Sequence, residues 1–381
     1  MGLLLTGVAA TPAHAQTIRE QQWHLDAMKA DEIWKISTGK GVTVAVIDSG
    51  VATIPELDGQ VLPGKDFAKG QKGYAGDERT DYSKHGTGIA ALIAGSGKHP
   101  SGDGSYGLAP GAQILPIRVP NDMDLSTPSW VSAIRFAADS NAKIINISLG
   151  IEGSVQDDRG RSEAVQYALS KGKLVFAAVG NDGDTTNQTE YPGGTPGVIG
   201  VGAVGPDGSA TKESQHGPQV DMSAPGIDIV TSCTGGTGLC KTHGTSDATA
   251  LASASAALLW SAHPTWTNNQ ILRVLLNTAG KPVDGAQRND YIGYGVVRPR
   301  VALPTPGDPG PPDVYPLPDL AAAGPGSPSP GGKITPSPAP QPQAAVKTSD
   351  GGGPPWIALG LGACVLIGGA VTAVVVRRAK H

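Results

Sequence analysis

The chain is 381 residues long, with 54 Gly, 32 Pro, 16% charged and 4% aromatic residues, too long for one small domain and too poor in charge for a long coiled coil or a charge-rich disordered protein. The Gly and Pro excess follows no Gly-X-Y period, which excludes collagen. A formal net charge of −4 leaves no broad basic surface, so nucleic acid is not an expected partner.

The elements begin with LLLTGVAA at residues 3–10 and a small-x-small run ending at Ala15, which read as a signal peptide over residues 1–15 that lacks a basic start. An apolar N-terminal strand is the alternative. Over residues 16–303 short Val- and Ile-rich runs alternate with helix-like stretches. Residues 42–47, 113–119, 143–148, 173–178 and 197–204 are apolar enough to be strands buried on both faces of a parallel sheet. The helical candidates are 87–94, 128–140, 162–171, 248–262 and Asn268–Thr278; Pro264 ends the fourth and Thr267 caps the fifth. This alternation predicts an α/β fold, a doubly wound and mostly parallel sheet with helices on both faces. No Gly-rich phosphate fingerprint follows the first strand, and no cofactor is expected.

Residues 304–355 hold 16 of the 32 prolines among Gly, Ser and Ala, and read as an extended linker without a core of its own. Residues 356–376 are 21 residues without a charge, and at about 1.5 Å rise each they cover the roughly 30 Å hydrocarbon core as a transmembrane helix. Arg377, Arg378 and Lys380 follow, so the positive-inside bias puts the tail 377–381 in the cytoplasm and the body outside the cell. Cys364 falls in the membrane segment as a small apolar residue. Cys233 and Cys240 bracket a Gly-rich loop, and in an extracellular domain a disulfide between them is expected. No second Cys or His pair at zinc spacing accompanies them, nor is there an EF-hand loop, so no metal site is expected.

Four side chains fall where such a sheet presents reactive groups, past strand ends or at helix starts. Asp48 directly follows the first strand. His85 opens a helix of small residues, with Gly86 and Gly88 permitting close backbone approach. Asn181 lies on the loop after the strand at 173–178, where its amide can donate a hydrogen bond. Ser246 follows Gly244 at the start of the long helix, where the helix end offers positive potential to a developing oxyanion. Singly, each has a plainer role as turn residue, solvent-facing His or N-cap. Jointly, the chain order Asp, His, Ser is that of subtilisin rather than of chymotrypsin or the α/β-hydrolases.

With these residues come VAVIDSGV around Asp48, HGTGIAALIAG from His85, NISLG at 146–150, AAVGN ending in Asn181, YPGGTPGVIGVGAV from Tyr191, DMSAPG from Asp221 and GTS ending in Ser246. On these motifs, over residues 24 to 300, the sequence resembles the subtilisin-like serine peptidases. The resemblance implies Ser246 as nucleophile, His85 as the base that takes and returns its proton, and Asp48 as the group orienting His85. It implies Asn181 and the Ser246 N–H as oxyanion donors, and Ser148, Leu149 and Gly150 as the edge on which an extended peptide adds a strand. Protein or peptide substrates follow. The layout further resembles the mycosins, subtilases associated with type VII secretion, through QWHLDAMKADEIW at 22–34, GYGVVRP at 293–299, the Pro-rich stretch and the C-terminal helix with its basic tail. That implies a membrane-anchored extracellular serine endopeptidase partnered with a type VII secretion complex, its N-terminal stretch wrapped on the body with no pro-domain between Ala15 and Gln22. The alternative is mainly a structural subunit of that complex with incidental proteolysis. One departure stands out: subtilases usually carry Ala-Pro or Thr-Pro shortly after the Ser, whereas this chain reads Ser246-Asp247-Ala248-Thr249-Ala250-Leu251. An acidic residue beside the nucleophile implies altered specificity or modest activity.

Overall fold

The computed structural model describes residues 16–120, 128–154 and 159–322. The expected signal peptide, the membrane helix at 356–376 and the tail lie outside the described residues. The chain divides into two units, residues 1–327 and 328–381, and every described residue lies in the first. Among the described residues no helix is long and apolar enough to cross a membrane.

Three short helices come first, α1 (Ile18–Gln21), α2 (Trp23–Ala27) and α3 (Ala30–Ile33). Then follow β1 (Thr43–Asp48), β2 (Lys65–Asp66), α4 (His85–Ala94), β3 (Gln113–Arg118), α5 (Pro128–Asp139), β4 (Ile144–Ile147), β5 (Ile151–Glu152), α6 (Arg159–Ser170), β6 (Leu174–Ala178), β7 (Glu190–Tyr191), β8 (Ile199–Val204) and β9 (Met222–Pro225). The last part holds β10 (Ile229–Ser232), β11 (Leu239–Thr242), α7 (Thr245–Ala262), α8 (Asn268–Thr278), α9 (Pro299–Ala302) and α10 (Asp319–Ala322). Seven strands pair in parallel in the order β2-β3-β1-β4-β6-β8-β9. This is the α/β sheet expected from the apolar runs.

The period of two in each strand feeds two separate cores. Val44, Val46, Ile144, Leu174, Phe176, Ile199 and Val201 join α4, α7 and α8 on one face. Ala45, Ile47, Ile145, Ile147, Val175 and Ala177 meet α5 and α6 on the other. Each Val, Leu or Ile so buried contributes about 1.5–3 kcal/mol. α7 is buried nearly all round, and its run of Ala, Ser and Thr lets it lie close against β4, β6, β8 and β9. α8 starts on a capping box between Thr267 and Gln270, as the sequence predicts for Thr267.

The N-terminal stretch lies on this body. Gln22 is fully buried; its amide donates to the carbonyls of Tyr106 (2.8 Å) and Val230 (3.1 Å) and accepts from the Tyr106 N–H (3.0 Å). The indoles of Trp23 and Trp34 donate to the Ile227 (3.0 Å) and Leu108 (2.8 Å) carbonyls. β10 and β11 form an antiparallel hairpin that brings the Cys233 and Cys240 sulfurs to 1.95 Å.

One boundary differs from the sequence expectation. Residues 304–322, read as the start of an extended linker, are packed on the body. Arg273 donates to the carbonyls of Pro309 (2.7 Å), Pro311 (3.0 Å) and Val314, Tyr315 Oη donates to the Gly197 carbonyl (3.0 Å), and Leu317 is buried. Proline leaves its carbonyl free to accept, so a Pro-rich strap can be held by donors from a neighbouring helix without apolar periodicity of its own.

Candidate active site

Asp48 ends β1 at the carboxyl edge of the sheet, with its side chain fully buried. Its Oδ1 accepts the Ser49 N–H (2.7 Å), and both oxygens face His85 Nδ1, at 2.8 and 3.0 Å. The approach depends on Gly86, where an added Cβ would lie 2.3 Å from the Gly50 carbonyl oxygen and 3.0 Å from Asp48. His85 is the first residue of α4, and the turn delivering it is fixed by Asp81. Oδ1 of Asp81 accepts from Ser49 Oγ (2.7 Å) and the Lys84 N–H (2.8 Å), and Oδ2 from the Thr87 N–H (2.8 Å) and Oγ1 (2.6 Å). Asp81 carried no sequence signal, because its partners gather only when the loop closes on β1.

Burial by itself pulls the pKa of His85 down. The charge and hydrogen bond of Asp48, helped by the charges of Asp247 and Asp81, outweigh it and lift the imidazole to about 9. A ring donating Nδ1–H to Asp48 presents Nε2 to the cleft.

Ser246 is the second residue of α7. Gly244 before it has φ +122°, a left-handed value that costs glycine little, and an added Cβ there would crowd the Asn181 amide at 3.1 Å. Ser246 Oγ donates to the Ser148 carbonyl (3.0 Å), while Ser148 Oγ donates to the Ser246 carbonyl (3.0 Å). Behind this clasp, Asn146 donates to Ser148 Oγ (3.0 Å) and accepts from Ser253 Oγ (2.9 Å), tying β4 to α7. The structure thus joins Asp48 to His85 directly, whereas the Ser246 hydroxyl is turned to the Ser148 carbonyl.

Asn181 follows β6 on an exposed loop. Its Oδ1 accepts from the Thr245 N–H (2.8 Å) and Oγ1 (3.0 Å), which fixes the orientation of the amide. Glu190 stands against the backbone of Gly150 and of Gly180, next to Asn181. An added Cβ on Gly150 would meet its Oε2 and one on Gly180 its Oε1 at 2.5 Å, and Gln215 donates to Oε1 (3.2 Å). Burial, then the charges of Asp182 and Glu152, push Glu190 up to about 7 against a hydrogen bond from the Asn181 backbone. Sequence reasoning missed this carboxyl; the only available cue was an acidic residue directly ahead of Tyr191. Among the described residues no group of three or more His, Cys, Asp or Glu side chains is placed to hold a metal ion.

The sequence pattern of the subtilase family matches residues 39–295. The thermophilic serine proteinase of Bacillus sp. strain AK1 is 36% identical over 268 residues, covering 70% of this chain and 62% of that protein. Mycosin-1 of Mycolicibacterium smegmatis is 31% identical over 351 residues, covering 78% of this chain and 76% of that one. The crystal structure of MycP1 from the ESX-1 type VII secretion system matches with a TM-score of 0.66 at 29% identity, over 80% of this chain and 90% of that chain. The chain spans about three fifths of the length of the Bacillus relatives it matches, 62% and 61% for two of them.

Proposed function

Because the chain belongs to the subtilase family, we propose that it is a serine endopeptidase in which Asp48, His85 and Ser246 form the catalytic triad. The observation that carries this reading is the pairing of His85 Nδ1 with both oxygens of a buried carboxylate, beside a serine at the start of a buried helix. Ser246 Oγ leaves the Ser148 carbonyl, passes its proton to His85 Nε2 and attacks the scissile carbonyl carbon. The oxyanion so formed takes hydrogen bonds from Asn181 Nδ2 and the Ser246 N–H. His85 then gives its proton to the leaving nitrogen as the C–N bond breaks. Water, deprotonated by the same imidazole, releases the acyl group from Ser246. Ser148, Leu149 and Gly150 offer the edge along which the peptide lies.

The body works outside the cell, anchored by the helix at 356–376 after removal of residues 1–15, and the Cys233–Cys240 pairing suits that compartment. Likeness to Mycosin-1 and to MycP1 of the ESX-1 type VII secretion system supports a role beside a type VII secretion membrane complex. A mainly structural role there is the second reading, favoured by the resting orientation of Ser246 toward Ser148.

The test compares the full-length protein with its Ser246→Ala variant on a peptide library and in complementation of a deletion strain. Cleavage by the wild type, lost by 10³-fold or more in the variant, is expected. Equal activity of the two proteins, or none in either, contradicts the peptidase reading; full secretion with the inactive variant favours the structural one.

A further inference from the structure

Glu190, the first residue of β7, holds its carboxyl between the two segments that the peptidase reading, on which this inference rests, sets against the substrate. A Cβ added to Gly150, at the end of the peptide edge, would collide with its Oε2, and one added to Gly180, next to Asn181, would lie 2.5 Å from its Oε1. β7 pairs with β5, which carries the chain on from that edge, in a register that sets Glu190 directly opposite Glu152. In acyl transfer the carbonyl under attack lies at Asn181 and the Ser246 N–H, while its chain runs along residues 148–150. The residue directly before the scissile bond is therefore the one beside both segments, and its side chain meets the group that spans them.

That group lacks a counter-charge. The buried Gln215 amide donates to Oε1 at 3.2 Å, and the charges that act on the carboxyl are those of Asp182 and Glu152, both acidic. Among the described residues no Lys, Arg or His forms an ion pair with Glu190. Like charges directly opposite across a strand pair destabilise the fold, and a partly desolvated carboxylate without a cation adds to that cost. A cationic side chain offsets both. Glu190 is only half-buried, and neither of its oxygens is sealed from solvent without a partner, so the carboxyl remains open to one. We propose that Glu190 selects a lysine or arginine as the residue directly before the scissile bond, its carboxylate accepting a charge-assisted hydrogen bond from that side chain. An acidic residue in the same place meets Glu190, Asp182 and Glu152 together and is rejected.

The test is kcat/KM of the full-length protein on peptides identical except for Lys, Arg, Ala, Leu or Glu directly before the scissile bond, for the wild type, Glu190→Gln and Glu190→Asp. For the wild type, Lys and Arg exceed Ala by roughly 10- to 100-fold, the worth of one hydrogen bond to a charged group, and Glu is the poorest. Glu190→Gln, which keeps the size and loses the charge, collapses the Lys-to-Ala ratio toward one, whereas Glu190→Asp retains part of it. A merely structural Glu190 would slow all five peptides alike and leave the ratio in place. The ratio is taken within each variant, so a smaller folded fraction cancels. A wild-type preference for Ala or Leu, an unchanged ratio in Glu190→Gln, or no cleavage of the Lys and Arg peptides by a protein that still labels at Ser246 overturns the inference alone. Failure to cleave any of the peptides, with no serine-directed labelling, overturns the peptidase reading and this inference with it.

Discussion

His24 in the N-terminal wrap and His85 at the sheet edge both feel burial as the largest influence, yet one ends neutral and the other charged. His24 is 0% exposed and neither ring nitrogen has a partner; burial, reinforced by the nearby Arg19 charge, holds it down at about 3. His85 feels the same pull, but Asp48 stands 2.8 Å from Nδ1 and lifts it to about 9. One imidazole is therefore neutral packing, and the other the proposed proton carrier. A buried histidine becomes chemistry only where the fold spends a carboxylate on it, and the same fold that closes the wrap over His24 leaves the His85 side chain 35% exposed to the cleft.

The most forceful way to break this contrast is to remove the carboxylate. Asp48→Asn makes His85 resemble His24, losing both its charge partner and its tautomer, and kcat is expected to fall by about 10⁴. A loss of less than tenfold would mean that the pair is not what activates Ser246. Next in size, Asn181→Asp keeps an acceptor for the Thr245 N–H but removes the amide donor, so kcat drops by roughly 10² to 10³ while thermal stability barely moves. Retained kcat in that variant would place the oxyanion elsewhere.

The pH profile sharpens the contrast further. A base must be unprotonated to act, so kcat/KM rises with pH, about tenfold per unit below the His85 value, toward a plateau above about 9. Asp247→Asn removes one of the carboxylates raising His85, and the midpoint moves to lower pH; an upward move contradicts the assignment. His24 has the smallest effect on activity and acts on stability instead. Its folded pKa lies below the unfolded 6.5, so stability is fully present above pH 6.5 and is lost as pH falls toward about 3, by up to about 1.4 kcal/mol per unit. His24→Leu should flatten that acid slope of the unfolding midpoint and leave the alkaline rise in kcat/KM untouched.

Much of this architecture is written locally. Residues 44–47 and 174–178 are apolar on every position because both sheet faces are covered, and Asp48, His85, Asn181 and Ser246 sit inside short motifs whose glycines make their turns. What escaped the sequence is made by residues far apart. The Ser148–Ser246 clasp joins positions 98 residues distant, and Asp81 acquires its role only by bonding Ser49 and Thr87 together. β9 is four residues long and contains Ser and Pro, too little pattern to stand out, although it closes the sheet beside β8. The strap at 304–322 carries no sequence signal of packing because its anchors are carbonyls and three scattered side chains, Tyr315, Leu317 and Asp319, rather than a periodic face.

Central to the proposed function is the activation of Ser246 by His85, held by Asp48. Reaction with a fluorophosphonate followed by peptide mapping tests it without knowledge of the substrate. The account predicts a single adduct on Ser246, forming at a rate that climbs with pH to half its maximum near 9 and falls away in Asp48→Asn. An adduct on another residue, or a Ser246 adduct whose rate ignores both pH and Asp48, would contradict it.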